Sequence, residues 1–280
     1  AYETALEFKK QGVHPIILDT REEHSSELIE TAKSNNIQIK FSYAVIAANG
    51  YKKVKSALIG KLNRDKTDFE NSETIECDCI CVSGFWTPTV HLASQSGNKL
   101  KFNDQIDAFV PDKSKQNETS VGASKGTFTL KETLNDGFKT GFDLSKKITK
   151  NNNSTSTPNS NETKKNPHDK FWCSPLPKDK NYKRFVDFQN DVAVSDIEVA
   201  LREGYRSIEH VKRYTTLGMA TDQGRTSNLN GLQLVANVEK KIVPQVGHTT
   251  FRPPFTPITI GTIVGREVDM EYMPTRKTPM

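Results

Sequence analysis

Between residues 147 and 170 the chain reads KKITKNNNSTSTPNSNETKKNPHD, a stretch that no folded core can absorb. It is rich in Asn, Ser, Thr and Lys and almost free of large apolar side chains, so ordering it would cost entropy that no apolar burial offsets. A linker or disordered loop is expected there. The stretch divides a chain of 280 residues, enough for one large or two ordinary domains, into parts that must each find a core. It also locates much of the apolar deficit, since 34% of the residues are hydrophobic against roughly 45–50% (Gly included) in globular chains.

The N-terminal part alternates elements. Ala1 to Gly12 reads as a helix with Gly12 as its stop, and Val13 to Asp19 as a short apolar strand. A helix from Ser25 to Ser34 and a strand over Ile37 to Phe41 follow, then two more strands over Tyr43 to Leu62 around the Asn49-Gly50 turn. Strand, helix, strand predicts an α/β fold with a parallel or mixed sheet. Thr74 to Val82 reads as a buried strand ending at Ser83-Gly84-Phe85-Trp86-Thr87-Pro88, and ligands of α/β sheets sit at such strand ends. Val121 to Gly126 reads as a strand-like entry whose glycines, Gly122 among them, precede a helix from about Leu130 to Ile148. A glycine turn there presents backbone N–H groups at the positive end of a helix dipole.

Beyond the polar stretch, Ser195-Asp196-Ile197-Glu198 has the form of a capping box and Gly204 that of a helix stop. Ser207 to Tyr214 gives a second short helix, Thr215 to Asn228 a loop, and Leu229 to Ile242 a third helix. A helical module of this size needs a partner or cofactor for stability. Pro244 to Met280, with Pro253, Pro254, Pro257 and Pro274, suits an extended tether. The expected organisation is thus 1–148, a linker at 149–182, a helical module at 183–242 and a tether at 243–280, with further chain on both sides.

Net charge is +5, from 39 basic residues interspersed with 34 acidic ones. That gives no basic stripe for a nucleic-acid backbone. No apolar run approaches a membrane span and the N-terminus has no signal-peptide pattern, so a cytoplasmic protein with neither nucleic-acid nor membrane partner is expected. Of four cysteines, three stand in Cys77-Asp78-Cys79-Ile80-Cys81. Alternate residues on a strand point the same way without meeting, so reduced thiols buried as small core residues are expected, not a metal site.

Two places carry candidate chemistry. Asp19 closes the first strand and is followed by Arg21, as at the end of the second strand of a dinucleotide-binding unit, where an acid binds ribose hydroxyls. The loop from Gly218 to Ser227 combines glycines, hydroxyls and Arg225 ahead of a helix N-terminus, where a phosphate would be stabilised. His210 and His248 have no acid or nucleophile at motif spacing, so no catalytic residue is assigned.

The run FVDFQNDVAVSDIEVALREGYRSIEHVKRYTTLGMATDQGRTSN is similar to the bacterioferritin-associated ferredoxin (BFD) type of module, in which Cys-x-Cys and a later Cys-x4-Cys hold a 2Fe-2S cluster. Here 32 residues separate Gln189 from Asp222, and the four matching positions are Asp187, Gln189, Asp222 and Ser227. None supplies a thiolate, so the resemblance implies a BFD-like module without iron-sulfur ligands. Together with VGHTTFRPPFTPITIG, CDCICVSGFWTPTVHL and SVGASKGTFTLKETLNDGFKTG, it closely resembles the alpha-subunit family of heterotetrameric sarcosine oxidase. The last two runs look like its pyridine-nucleotide-disulfide-oxidoreductase-like, Rossmann-type part. PTRKTPM resembles the approach to a folate-binding aminomethyltransferase-like domain.

The resemblance implies a subunit that binds NAD and shares an interface FMN with a beta subunit. FAD lies on that partner, gamma and delta subunits complete the assembly, and sarcosine is oxidised on another chain. The products would be glycine, hydrogen peroxide and either methylene-tetrahydrofolate or formaldehyde. The implied cofactor contacts are Asp19, Arg21, Gly84 and Gly122 for the nucleotide, with Ala123 standing where relatives carry an acid. Thr215, Thr216, Arg225, Thr226 and Ser227 are the candidates for the flavin. The alternatives are the corresponding subunit of an opine-, hydroxyproline- or glycine-oxidising dehydrogenase and a non-catalytic scaffold subunit.

Overall fold

The computed structural model describes residues 1–84, 86–149, 171–177, 182–253, 256 and 258–267. The polar stretch from residue 150 to residue 170 therefore lies outside the described residues, as does the end of the expected tether. Contacts group the chain into two units. One holds residues 1–86, 164–185 and 193–195, and the other residues 87–163, 186–192 and 196–280. Residues 87–149 thus share their contacts with the C-terminal helices.

In the first unit, α1 (Tyr2–Lys10) leads through Gly12, at φ +79°, into β1 (Ile16–Asp19). The helix α2 (Glu27–Ser34) is capped by Ser26, whose hydroxyl accepts from the Ile29 N–H at 3.3 Å, and is followed by β2 (Gln38–Phe41). β1 and β2 pair in parallel from Ile16 opposite Gln38 to Asp19 opposite Phe41. Parallel neighbours need a crossover, which α2 supplies. Ala5, Ile17, Ala32 and Ile37 form the core of this βαβ unit, with Tyr2, Leu6 and Ile39 against it.

β3 (Tyr43–Gly50), β4 (Val54–Leu62) and β5 (Phe69–Glu76) form a separate antiparallel sheet in that order. The β3–β4 reversal falls on Tyr51–Lys53, beyond the expected Asn49-Gly50 turn, because the ladder still pairs Asn49 with Ser56 and Gly50 with Val54. Gly50 adopts φ +155°, and any Cβ there would collide with the Lys53 carbonyl.

The strand expected from Thr74 to Val82 is a correction. β5 starts at Phe69 and stops at Glu76, and its side chains are mostly exposed. Its partner runs out: Glu76 pairs with Ser56, the Cys77 N–H reaches the Lys55 carbonyl, and β4 begins at Val54. Cys77 to Val82 therefore leave the sheet. Cys79 and Cys81 are exposed and Cys77 half-buried, which overturns their reading as buried core residues.

The second unit opens with α3 (His91–Gln95) and the antiparallel pair β6 (Leu100–Asn103) and β7 (Ala108–Pro111). Val121 to Gly126, expected as strand-like, contains a 3-10 turn over Gly122–Lys125 before α4 (Leu130–Thr149). β8 (Phe185–Asp187) and β9 (Val192–Ala193) pair and lead into α5 (Val194–Arg202). Ser195 thus sits in the first turn of α5, one residue past its start at Val194, instead of serving as the cap that the capping box predicts. Gly204, at φ +96°, ends the helix as expected, its N–H and that of Tyr205 returning to the Leu201 and Ala200 carbonyls. α6 (Ile208–Thr215) and α7 (Asn228–Glu239) enclose Val211, Leu217, Leu232 and Val235, and the short α8 (Val243–Val246) and α9 (Ile260–Val264) follow. Among the described residues no helix is long and apolar enough to cross a membrane.

Candidate functional site

The first candidate lies at the carboxyl ends of β1 and β2, where open α/β sheets bind ligands. Asp19 is buried there, and Arg21 grips both carboxylate oxygens, with Nε to Oδ1 at 2.9 Å and Nη2 to Oδ2 at 2.7 Å. The Arg21 N–H and the Tyr2 hydroxyl add bonds of 3.0 and 2.7 Å. Burial alone would raise the Asp19 pKa, but these bonds hold it below the usual carboxylate range. Burial and the Asp19 hydrogen bond push the Tyr2 phenol well above its own. The Arg21 carbonyl accepts from the Ser42 N–H at 2.8 Å. Ser42 lines an open cavity of about 220 Å³ with Glu22, Lys61, Arg64 and Lys66. Sequence pattern finds Asp19 and Arg21; the cationic rim comes from the end of β4 and the β4–β5 turn, distant in sequence.

The second candidate is the loop between α6 and α7. Thr216 takes φ +63° at the end of α6, and Gly218 and Gly224 have positive φ as well. The loop closes around Asp187, only 2% exposed. Asp187 Oδ1 accepts from the Gln189 N–H at 2.9 Å, and Oδ2 accepts from the Gly218 N–H at 2.8 Å and the Ser227 hydroxyl at 3.3 Å. The Thr221 hydroxyl donates to Gln189 Oε1, and Asp222 accepts from the Gly224 N–H and the Thr226 hydroxyl. Three of the four positions that match cluster ligands, Asp187, Gln189 and Ser227, are thus joined by hydrogen bonds, while Asp222 bonds within its own turn.

The expected flavin contacts divide by exposure. Thr215 and Ser227 are buried; Thr215 donates to the Val211 carbonyl and accepts from the Leu217 N–H. Thr216, Arg225 and Thr226 are exposed. Arg225 Nη2 reaches the Thr256 hydroxyl at 3.2 Å.

Arg225 and Gly224 also line a cavity of about 60 Å³ with Thr87, Pro88, His91, Asn228, His248, Thr249 and Phe251. His91 is buried, packs against Phe251 with ring centroids 4.0 Å apart and the rings tilted by 38°, and bonds through Nε2 with the Gln223 carbonyl at 3.1 Å. Burial chiefly, with the nearby Arg225 charge, lowers its pKa and keeps the imidazole neutral. Asn228 Oδ1 and Thr249 Oγ1 are buried in this wall with no hydrogen-bond partner among the described residues. The space admits a few water molecules and falls far short of the roughly 300 Å³ or more of a cofactor site. Sequence reasoning missed His91, Asn228 and Thr249, although His91 and Thr249 lie inside the runs WTPTVHL and VGHTTFRPPF.

Gly84 and Gly122 do not join either place. Gly84 is exposed, with nothing near its missing Cβ. The Gly122 N–H is taken by Asp136 Oδ2 at 2.9 Å, and the start of α4 is closed by Thr129 and Glu132, each side chain bonding back to the other residue. Two of the N–H groups there, those of Gly122 and Glu132, are thus taken by side chains of the chain itself.

By fold this is a mixed α/β protein of the kind seen in the crystal structure of L-proline dehydrogenase from P. horikoshii. The match has a TM-score of 0.63 at 17% identity and covers 93% of this chain and 52% of that one. The sequence is more specific. Residues 181–266 match the sarcosine oxidase A3 domain, and the chain resembles the alpha subunit of sarcosine oxidase. It is 36% identical to that subunit from Rhizobium meliloti (strain 1021) over 216 residues, 75% of this chain and 21% of that protein. Against the Corynebacterium sp. subunits from strains P-1 and U-96 it is 31% and 30% identical, over 100% of this chain and 29% of each. The chain thus spans under a third of these relatives' length.

Proposed function

We propose that the chain serves as the alpha-type subunit of a flavin-linked sarcosine oxidase, supporting oxidative demethylation carried out on a partner chain. The observation that carries this reading is the similarity to two such subunits along the whole chain, with residues 181–266 matching a domain named for the same enzyme. The finer assignments belong to the proposal too: a Rossmann-type N-terminal part, a BFD-like helical module, and beta, gamma and delta partner subunits.

In this reading the open cavity at the carboxyl ends of β1 and β2, smaller than a whole cofactor site, takes only part of NAD. Arg64 and Lys66 at the cavity rim offer cations to a pyrophosphate, and Asp19 and Arg21 shape the ribose end. Because the Asp19 carboxylate is already engaged by Arg21 and Tyr2, ribose binding requires one of these bonds to open. The residues at the cluster-equivalent positions do not fit an iron-sulfur group, since they offer oxygen in place of thiolate and the Asp187 and Asp222 carboxylates already accept hydrogen bonds from the chain itself. An interface FMN fits better: Arg225 and Thr226 present a guanidinium and a hydroxyl on the exposed side of the loop, while the Asp187 network holds the loop from beneath. FMN would pass electrons between the partner's flavin and the final acceptor.

The test is co-expression with the partner subunits, followed by flavin and nucleotide extraction and iron and sulfide assay. Sarcosine-dependent peroxide formation, bound FMN and NAD, and a marked loss of FMN in Arg225→Ala are expected. Stoichiometric iron with acid-labile sulfide would overturn the cluster-free reading, and unchanged FMN retention in Arg225→Ala would overturn the flavin contact.

A further inference from the structure

Cysteine is sparse in this chain, yet three of four fall within five residues. The segment carrying them has left β5 and is neither strand nor helix from Cys77 to Val82. Cys79 and Cys81 are exposed, and their sulfurs lie 3.8 Å apart. No group of three His, Cys, Asp or Glu side chains among the described residues converges to hold a metal ion. The feature is therefore a close, accessible pair of thiols that the fold does not use for packing.

We propose that Cys79 and Cys81 form a reversible dithiol–disulfide couple, oxidised by a hydroperoxide and reset by a small dithiol reductant. Two residues in extended chain span about 6.6 Å, within the roughly 4.4–6.8 Å between Cα atoms that a disulfide bridges. Outside a sheet ladder, rotation of the two side chains brings the sulfurs together. The Cys79 thiol is pushed up chiefly by its hydrogen bond to Cys81 and the charge on that sulfur, with Asp78 adding to it. With the sulfurs 3.8 Å apart either cysteine can resolve the other once one is oxidised, and the raised Cys79 thiol favours Cys81 for the first attack.

The Cys81 thiolate attacks a peroxide oxygen, forming an S–O bond and breaking the O–O bond. The departing oxygen leaves as hydroxide and takes up a proton from solvent. The Cys79 sulfur then attacks the resulting sulfenic acid; the S–S bond forms, the S–O bond breaks, and the hydroxide leaves as water with the Cys79 proton. In sum two thiols and hydrogen peroxide give one disulfide and two waters. A bridge so exposed, closing so short a ring, belongs to the labile class that mild reductants reopen.

The experiment treats the reduced full chain with stoichiometric hydrogen peroxide, blocks free thiols with iodoacetamide and weighs the tryptic peptide spanning residues 67–99, which contains all three clustered cysteines. Loss of two hydrogens with one alkylation instead of three is expected, reversed by dithiothreitol. The bridge persists in Cys77→Ser and Cys173→Ser and disappears in Cys79→Ser and Cys81→Ser, all four melting like the parent. A bridge that survives Cys79→Ser or Cys81→Ser, or oxidation that yields only sulfinic acid or cross-linked chains, overturns the proposal.

Discussion

Replacing Asp187 with Asn tests whether the loop between α6 and α7 is held by one buried carboxylate. The substitution keeps the shape and removes one acceptor. In the parent, Oδ1 receives the Gln189 N–H at 2.9 Å and Oδ2 receives the Gly218 N–H at 2.8 Å and the Ser227 hydroxyl at 3.3 Å. An amide has one oxygen, so whichever way it turns, its NH2 faces a backbone N–H that can only donate. The Ser227 hydroxyl can rotate and accept from the new NH2; the backbone cannot. Either the buried Gly218 N–H or the more exposed Gln189 N–H loses its acceptor, at about 1–3 kcal/mol, and the surviving bond loses its charge assistance, for a total of about 2–3 kcal/mol. At roughly 2–4 °C per kcal/mol for a domain of this size, the melting temperature should fall by about 5–10 °C. Calorimetry and urea unfolding would read this, with the midpoint moving and the slope unchanged. Asp187→Ala, which removes both acceptors, should cost more than Asn. A shift under about 1 °C in Asn would refute the account.

Three further perturbations follow from individual contacts. Gly224→Ala places a Cβ at φ +72° against the Asn228 amide and should cost about 2–4 kcal/mol; Gly84→Ala, in open space, should melt like the parent. Because the Asp19 pKa is depressed in the folded chain, its contribution is fully present above the unfolded carboxylate value near 4 and is lost as pH falls through the lower folded value. Asp19→Asn should flatten that acid limb in urea midpoints taken from pH 6 to pH 2, and an unchanged limb would exclude the Arg21 contact as its source. Lys212 is buried, bonded to the Thr250 carbonyl at 2.9 Å, and burial lowers its pKa. The unfolded chain therefore binds more protons between that value and about 10.4, and stability should rise with pH across the window. Lys212→Met should abolish the rise; its persistence would place the titrating group elsewhere.

Local signals in the chain were reliable where one segment settles its own geometry. Gly204 ends α5, and Leu232 and Val235 of the expected third helix are buried on α7, although Val238 of the same stripe is exposed. The Cys77 to Val82 segment failed for a non-local reason. An apolar, β-prone run becomes a strand only while a partner continues, and β4 begins at Val54, leaving no ladder past Lys55. The Val121 to Gly126 segment failed because Asp136, nearly two helical turns into α4, captures the Gly122 N–H. Of the flavin candidates, the residue types were visible, but which hydroxyls face inward was not: Thr215 and Ser227 are consumed by Val211, Leu217 and Asp187, contacts that require the folded loop.

By itself, then, the sequence determined the alternation of helices and strands, the resemblance to sarcosine oxidase alpha subunits, and the replacement of four thiolate positions by Asp187, Gln189, Asp222 and Ser227. These are properties of composition, spacing and residue type. Only the tertiary structure decided that Gln189 and Ser227 bond to Asp187, that Lys61, Arg64 and Lys66 share a rim with Ser42, and that Cys79 and Cys81 stand exposed with their sulfurs in contact. Hydrogen-bond partners, strand ends and burial are set by residues distant in the chain, and a pattern read along one segment carries no information about where its neighbours stop.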